Sequence, residues 1–234
     1  PLKCAFDPRV LLCKGAESAS CLTAAQVEAA RLTYHGPRGL FPGLEPGSET
    51  GWATLSSAKP MALAEEVYKF LVYKDANWNY LTFDPARDIA RAEKETGALM
   101  DSIDANLRPF FYRHGKLLLY HGWADPGIAP RNTVNYYTNV TKTVGKTSAD
   151  DGVRLFMVPG MGHCGGGDGT STFNMMTALS QWVEQGHAPE EIPASRVRNG
   201  QTDRTRPLCA FPKVAKYKGS GSTDDAASFT CALP

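Results

Sequence analysis

The order of the apolar segments in the second half of the chain constrains the fold more than any other feature. The runs "GKLLLYHG" (115–122) and "VRLFMVPG" (153–160) are short and apolar and contain a closing glycine, so both predict buried strands. Residues 130–144 lie between them with apolar side chains at helical spacing, and 172–186 follow with a second apolar helical face. Strand, helix, strand and helix in this order predict a parallel sheet of the α/β class.

Composition narrows the classes of function. The 234 residues include 25 basic and 24 acidic side chains mixed along the chain, which gives a formal net charge of +1. Because no basic stripe stands out, nucleic acid is a poor candidate partner. No apolar run approaches the roughly 20 residues that cross a bilayer. The sequence shows no secretory signal and starts at Pro1 rather than methionine, so we expect a trimmed or truncated product.

The predicted secondary structure changes near residue 104, before the first predicted strand. Residues 1–103 are rich in loops, with a few helices such as the one that Thr23 and Gln26 would open as a capping box. Residues 104–234 contain the predicted α/β segments. From its length, the chain could form one large domain or two small ones.

A carboxylate and an imidazole follow the two predicted strands. Asp125 comes just after the first strand, and His163 comes just after the second. Since a right-handed crossover brings the carboxyl ends of adjacent parallel strands to one edge of the sheet, we expect the two side chains to be neighbours. Such a pair is the base half of a nucleophilic triad, in which the carboxylate orients the imidazole that takes a proton. The alternatives are an Asp125 that caps the following helix and a solvated His163.

The nucleophile of such a triad is missing from these residues. α/β-Hydrolases place the serine before the acid and the histidine, yet no G-x-S-x-G motif occurs in the sequence. Cys164 is a poor substitute, because the side chain adjacent to His163 points in a different direction. His121 is expected to pack or hydrogen-bond locally. The glycines of "VPGMGHCGGG" are expected to give the loop the positive φ angles that present His163.

Six cysteines indicate an oxidising compartment. Cys13 and Cys21 bracket a polar loop, Cys209 and Cys231 bracket the C-terminal tail, and neither spacing suits a zinc or redox motif. Two local disulfides are therefore predicted, one in each pair. The two cysteines left over, which can pair with each other or with cysteines that this chain lacks, are Cys4 and Cys164.

Three stretches of the sequence resemble a known enzyme family. They are "YHGWADPGIAP", "VPGMGHCGGG" and the closing "RTRPLCAFPKVAKYKGSG…FTCALP". Together they resemble the C-terminal part of tannase/feruloyl esterase family proteins, which include mono(2-hydroxyethyl) terephthalate hydrolase. The resemblance implies an α/β fold made of the C-terminal part of an α/β-hydrolase sheet (104–234) and the C-terminal part of a loop-rich, disulfide-stapled lid domain (1–103).

The resemblance also implies roles for individual residues. Asp125 matches the triad acid and His163 the triad base, whereas the family's serine elbow would precede this chain. Cys164 would bond to the cysteine beside that serine and so tie the histidine loop to the nucleophile. Cys4 would bond to another upstream cysteine. No catalytic cofactor is implied and none of these residues is expected to bind metal, but a structural calcium ion is suspected in the upstream part of the lid.

The implied function is that of part of a secreted or periplasmic serine carboxylesterase. Its substrates would be small esters of aromatic, phenolic acids, such as feruloyl, galloyl or terephthaloyl esters, with Trp123 as a candidate for the pocket wall. Its partner would be the N-terminal part of the same enzyme, in the same or a nicked chain, and no nucleic acid or membrane partner is expected. Two alternatives stay open: a fragment of a prolyl-oligopeptidase-type serine peptidase, and a non-catalytic binding module that lost the nucleophile.

Overall fold

A computed structural model describes residues 6–36, 41–55, 57 and 59–234. Contacts divide the chain into a large unit, Pro1–Glu49 with Ala105–Pro234, and a small unit, Thr50–Asp104. The second boundary lies beside the one predicted from the sequence, but the segment before Thr50 groups with the C-terminal residues. The assignment of lid and catalytic domains stays a prediction.

Helices dominate the first half of the described chain, and the strands begin at Leu117. The α-helices are α1 (Ala24–His35), α2 (Ala62–Glu66), α3 (Pro85–Ala92), α4 (Ala98–Met100), α5 (Arg108–Tyr112), α6 (Pro130–Val144), α7 (Lys146–Gly152) and α8 (Met175–Gln185). The strands are β1 (Leu117–Gly122), β2 (Val153–Val158), β3 (Thr172–Phe173), β4 (Glu191–Arg198), β5 (Gln201–Cys209), β6 (Val214–Tyr217) and β7 (Phe229–Ala232). In the described part of the chain, none of the helices has the length and apolar character that a membrane span requires.

The predicted pair of parallel strands is present, and the α/β class is confirmed. β1 runs parallel to β2, from Leu117 opposite Val153 to Gly122 opposite Val158. Helices α6 and α7 form the connection between them, as the strand–helix–strand pattern predicts. β2 is almost entirely buried, as expected. β1 is only half-buried up to its last residue, and among the described residues its sole strand partner is β2.

Alternate residues of β2 pack into different apolar clusters, because successive side chains of a strand point to opposite faces. Phe156 and Val158 pack with side chains from β4 and β5. Val153 packs with buried residues of α6 and α7, and Leu155 and Met157 pack with Trp123. Burial of each large apolar side chain contributes about 1.5–3 kcal/mol to folding. The sheet edge that carries the candidate site therefore rests on a strand fixed from both faces.

Antiparallel strands and two disulfides complete the large unit. Strands β3, β4 and β5 form one sheet, and β6 pairs with β7. Cys209 and Cys231 join the end of β5 to β7, and Cys13 and Cys21 close the loop before α1. Both predicted disulfides are present, and the predicted capping box opens α1. Cys4 lies outside the described residues.

A buried carboxylate organises the small unit. Asp88 on α3 has 0% of its surface exposed and accepts hydrogen bonds from the Tyr73 hydroxyl at 2.5 Å and from Nε of Arg87 at 2.6 Å. It also accepts one from the backbone N–H of Asp84 at 2.9 Å. The hydrogen bond from Arg87 does most to lower the pKa of Asp88, burial opposes it, and the hydroxyl and the N–H add to the lowering. The pKa of Asp88 is held well below its ordinary value, so this carboxylate is ionised at neutral pH.

Asp88→Asn is expected to destabilise the small unit by about 2 kcal/mol, because the neutral amide loses the charge-assisted hydrogen bonds to Arg87 and Tyr73. The pKa of Asp88 is lowered in the folded state, so the carboxylate makes its full contribution to the free energy of unfolding above about pH 3.9. That contribution is lost as the pH falls through the folded-state pKa. Urea denaturation at pH 7 and at pH 2 measures both effects. The exposed Glu93→Gln serves as the control. If the free energies of unfolding of Asp88→Asn and the wild type differed equally at the two pH values, the lowered pKa of Asp88 would be contradicted.

Candidate active site

Two loops that follow β1 and β2 bring the predicted carboxylate and imidazole together. Asp125 and His163 are 38 residues apart, and Nδ1 of His163 lies 2.8 Å from Oδ2 of Asp125. The contact arises because the parallel register sets the last residues of the two strands, Gly122 and Val158, side by side. The strand-end rule thus predicts the meeting of these side chains correctly.

Asp125 is held from two directions. The residue is 2% exposed, and its Oδ1 accepts hydrogen bonds from the backbone N–H groups of Gly127 at 2.8 Å and Ile128 at 3.0 Å. Burial raises the pKa of Asp125, but the hydrogen bonds from Ile128, His163 and Gly127 outweigh it, and the net pKa lies below the ordinary value. The alternative that Asp125 caps the next helix does not hold, because α6 starts after Ala129 without a side-chain cap.

The ionised carboxylate fixes which nitrogen of His163 carries the proton. An ionised carboxylate only accepts hydrogen bonds, so Nδ1 of His163 carries the proton and donates a hydrogen bond to Asp125. In the neutral ring Nε2 then has a free lone pair. The side chain of His163 is 59% exposed, and this basic nitrogen is available to a group that gives up a proton.

The two loops are joined through their backbones. The N–H of Trp123 donates to the carbonyl of Val158 at 2.9 Å, and the N–H of Ala124 donates to the carbonyl of Met161 at 3.0 Å. Gly122 makes this approach possible, since a Cβ added there would lie 2.2 Å from the carbonyl oxygen of Met161. The distance between the acid and the base is therefore set by main-chain contacts.

The glycine-rich loop contains the positive φ angles that its composition predicts, at Gly160, Gly166 and Gly167, and it folds back on itself. Gly167 has a φ of +81° and pairs with Met161 in an isolated bridge. A Cβ at Gly167 would lie 2.1 Å from the carbonyl oxygen of Gly160, so only glycine fits there. Arg196 of β4 donates to the carbonyl of Asp168 at 3.1 Å and anchors the far end of the loop.

The whole chain matches one protein family. A sequence model described as "Tannase and feruloyl esterase" covers residues 1–232. The chain belongs to this family. It is 36% identical, over 99% of its length, to an "Uncharacterized esterase" of Xanthomonas campestris pv. campestris, of which it covers 50%. It is 35% identical, over 100% of its length, to "Probable feruloyl esterase B-2" of Aspergillus terreus, of which it covers 49%.

A solved structure agrees with this membership. The crystal structure of feruloyl esterase B from Aspergillus oryzae matches with a TM-score of 0.89 at 30% identity, over 96% of this chain and 50% of that one. The chain therefore spans about half the length of the curated relatives that it matches.

A second histidine of this tannase-family chain contacts the same carboxylate. Nε2 of His121 lies 3.1 Å from Oδ2 of Asp125, and its Nδ1 lies 2.6 Å from Oγ1 of Thr133 on α6. Sequence reasoning expected a local hydrogen bond for His121 but did not identify Asp125 as its partner. The spacing H-G-x-x-D at a strand end is the sequence signal that could have identified Asp125 as the partner of His121, because a turn after the glycine brings the two side chains together.

Trp123, the candidate for the pocket wall, is a buried side chain. Its side chain is 5% exposed and packs with Leu155 and Met157 in the core. Its predicted place in the pocket wall stays a prediction.

The remaining predicted site features are only partly within the described residues. Cys164 is exposed, has a φ of +58°, and has no sulfur partner among the described residues. The described part of the chain contains no group of three or more His, Cys, Asp or Glu side chains that could hold a metal ion. The structural calcium ion suspected from the resemblance would lie in the upstream part of the lid, outside this chain, and stays a prediction.

Proposed function

We propose that this chain is part of a serine carboxylesterase that hydrolyses esters of aromatic acids, with Asp125 and His163 as the acid and the base of its triad. The observation that carries the proposal is the hydrogen bond of 2.8 Å between Nδ1 of His163 and Oδ2 of Asp125. The names of the relatives, an esterase and a probable feruloyl esterase, support the class of reaction.

The geometry suits general-base catalysis by His163. Nε2 takes the proton of the attacking serine hydroxyl as the tetrahedral intermediate forms, and later gives it to the leaving alcohol. Asp125 holds the ring in the required tautomer and stabilises the imidazolium while it carries both protons. Oδ1 of Asp125 is occupied by two backbone donors, so the carboxylate does not need to reorient during the reaction.

The serine itself comes, in this proposal, from the N-terminal part of the same enzyme, in the same or a nicked chain. The absence of a serine elbow from these 234 residues supports this arrangement, as does the match to only half of each relative. The half-buried β1 also fits a sheet that continues with strands from elsewhere.

We further propose feruloyl, galloyl or terephthaloyl esters as the substrates and a secreted or periplasmic location. The family match supports the aromatic acyl group. The two disulfides support an oxidising compartment.

The proposed function is tested on a protein that joins this chain to its upstream segment. Turnover of methyl ferulate is compared with turnover of the matching amide, for the wild type and for His163→Gln. Fast ester hydrolysis that His163→Gln abolishes supports the proposal, whereas faster amide cleavage favours the peptidase. Fluorophosphonate labelling provides a second readout. If no serine is labelled in the native assembly, the alternative of a non-catalytic binding module is favoured.

Cys164→Ser is expected to lower kcat of that complete enzyme about 100-fold, because the loop that carries His163 loses its proposed covalent tie to the nucleophile. Peptide mapping without reduction identifies the sulfur partner of Cys164 in the wild type. The control is the double variant Cys13→Ser/Cys21→Ser, which removes a different disulfide of the large unit. A reduced Cys164 in the active wild type would refute the proposed tie.

A further inference from the structure

We propose that His121 is a positioning residue for the acid–base pair: it donates a second hydrogen bond to the oxygen of Asp125 that orients His163. The juxtaposition that carries this inference is that of two imidazoles on one carboxylate oxygen, at 3.1 Å for His121 and 2.8 Å for His163. The inference rests on the proposed function, since it assigns a role within the same site.

The hydrogen bonds around Asp125 show what His121 adds. Oδ1 accepts from two backbone N–H groups, and Oδ2 accepts from two imidazoles, so each carboxylate oxygen has two donors. An ionised carboxylate has about four lone-pair positions in all, and these four donors fill them. Without His121, the exposed ring of His163 would be the one side chain of the described residues that donates a hydrogen bond to Oδ2.

His121 is itself fixed by the helix that follows β1. Its side chain is 12% exposed, and Thr133 on α6 lies 2.6 Å from Nδ1. If Nε2 donates to the carboxylate in the neutral ring, then Nδ1 accepts a hydrogen bond from the Thr133 hydroxyl. A chain of hydrogen bonds therefore runs from α6 through His121 to Asp125, and ends at His163.

This chain of contacts gives His121 a task that differs from that of His163. His163 is largely exposed and changes its protonation during each proposed catalytic cycle, whereas His121 is enclosed and has a hydrogen-bond partner at each ring nitrogen. When His163 becomes an imidazolium and returns to neutral, His121 holds Oδ2 in place, so the carboxylate is preorganised for the next proton transfer.

The variants His121→Leu and His121→Gln, made in the complete enzyme, separate positioning from packing. Leucine removes the donor, while glutamine places an amide N–H near the position of Nε2. We expect His121→Leu to lower kcat about tenfold or more with KM changed less than twofold, since ester binding does not involve this residue. We expect His121→Gln to recover most of kcat, and Thr133→Val to lower kcat by a smaller factor.

A spectroscopic readout is independent of turnover. ¹⁵N spectra of histidine-labelled wild-type enzyme report which nitrogen of each ring is protonated. We expect His121 as the neutral tautomer protonated at Nε2, with assignment from the spectrum of His121→Gln. A ring protonated at Nδ1 alone would overturn the inference even if His121→Leu does not fold.

The outcomes distinguish this inference from the function on which it rests. A wild-type enzyme without activity on aromatic esters would overturn the proposed function. An active wild type whose kcat is matched by a folded His121→Leu variant would overturn the role of His121 and leave the esterase intact. A loss of kcat in His121→Leu that glutamine does not recover would show that the ring is needed for packing alone.

Discussion

Replacing Asp125 with asparagine in the complete enzyme is expected to lower kcat about 10⁴-fold, the scale of this effect in Ser-His-Asp enzymes. The amide has one acceptor oxygen where the carboxylate has two, and its N–H₂ group can donate to Nδ1 of His163. The ring then carries its proton on Nε2, where it cannot act as the base. Loss of the negative charge also removes the stabilisation of the imidazolium that forms during attack.

The measurement is steady-state hydrolysis of an aromatic ester, with circular dichroism to show that the variant is folded. Asp151→Asn is the matched control, because Asp151 has a side chain 74% exposed that pairs with Lys116 instead of an imidazole. The control should keep kcat within a factor of about two. An Asp125→Asn enzyme that retains more than a tenth of wild-type kcat would show that Asp125 is not the acid of the triad.

Gly122→Val is expected to destabilise the large unit by roughly 3 kcal/mol or more, because the new side chain would overlap backbone rather than a movable side chain. The carbonyl of Met161 lies 2.2 Å from the position of the added Cβ, and that of Gly162 lies 2.6 Å away. To relieve this overlap the loops after β1 and β2 must separate. The hydrogen bond between Asp125 and His163 would lengthen with them.

Urea denaturation measures the loss of stability, and kcat measures the loss of alignment. Gly165→Ala is the control, since a Cβ at that loop position meets nothing within 4 Å. The control should unfold at nearly the wild-type urea concentration. If Gly122→Val matched it, then the close approach of the two loops would not constrain the site.

The sequence was sufficient to predict the parts of the site that depend on local periodicity. The apolar runs predict β1 and β2, and a crossover between parallel strands then requires Asp125 and His163 to meet. The contact between His121 and Asp125 depends on how the turn after Gly122 folds back, and strand periodicity carries no information about that turn. Trp123 lies in the same turn, and its burial was likewise not predictable from its place beside the site.

Long-range packing explains the other differences. The segment before Thr50 groups with residues 105–234, although its composition resembles that of the loop-rich region that follows. Composition reports local preference, whereas the grouping depends on contacts between residues far apart in sequence. The half-burial of β1 has the same origin, because an apolar run predicts that a strand is covered and does not say which segment covers it.

Asp125, His163, His121 and the Thr133 hydroxyl that contacts His121 all come from one continuous piece of chain, from β1 to the loop after β2. The backbone hydrogen bonds that join the two loops also lie within this piece, whereas the side chains that cover Phe156 and Val158 of β2 come from β4 and β5. We therefore expect a graft of this piece onto another parallel sheet to keep the distance between Asp125 and His163 where the host sheet covers β2 as β4 and β5 do here.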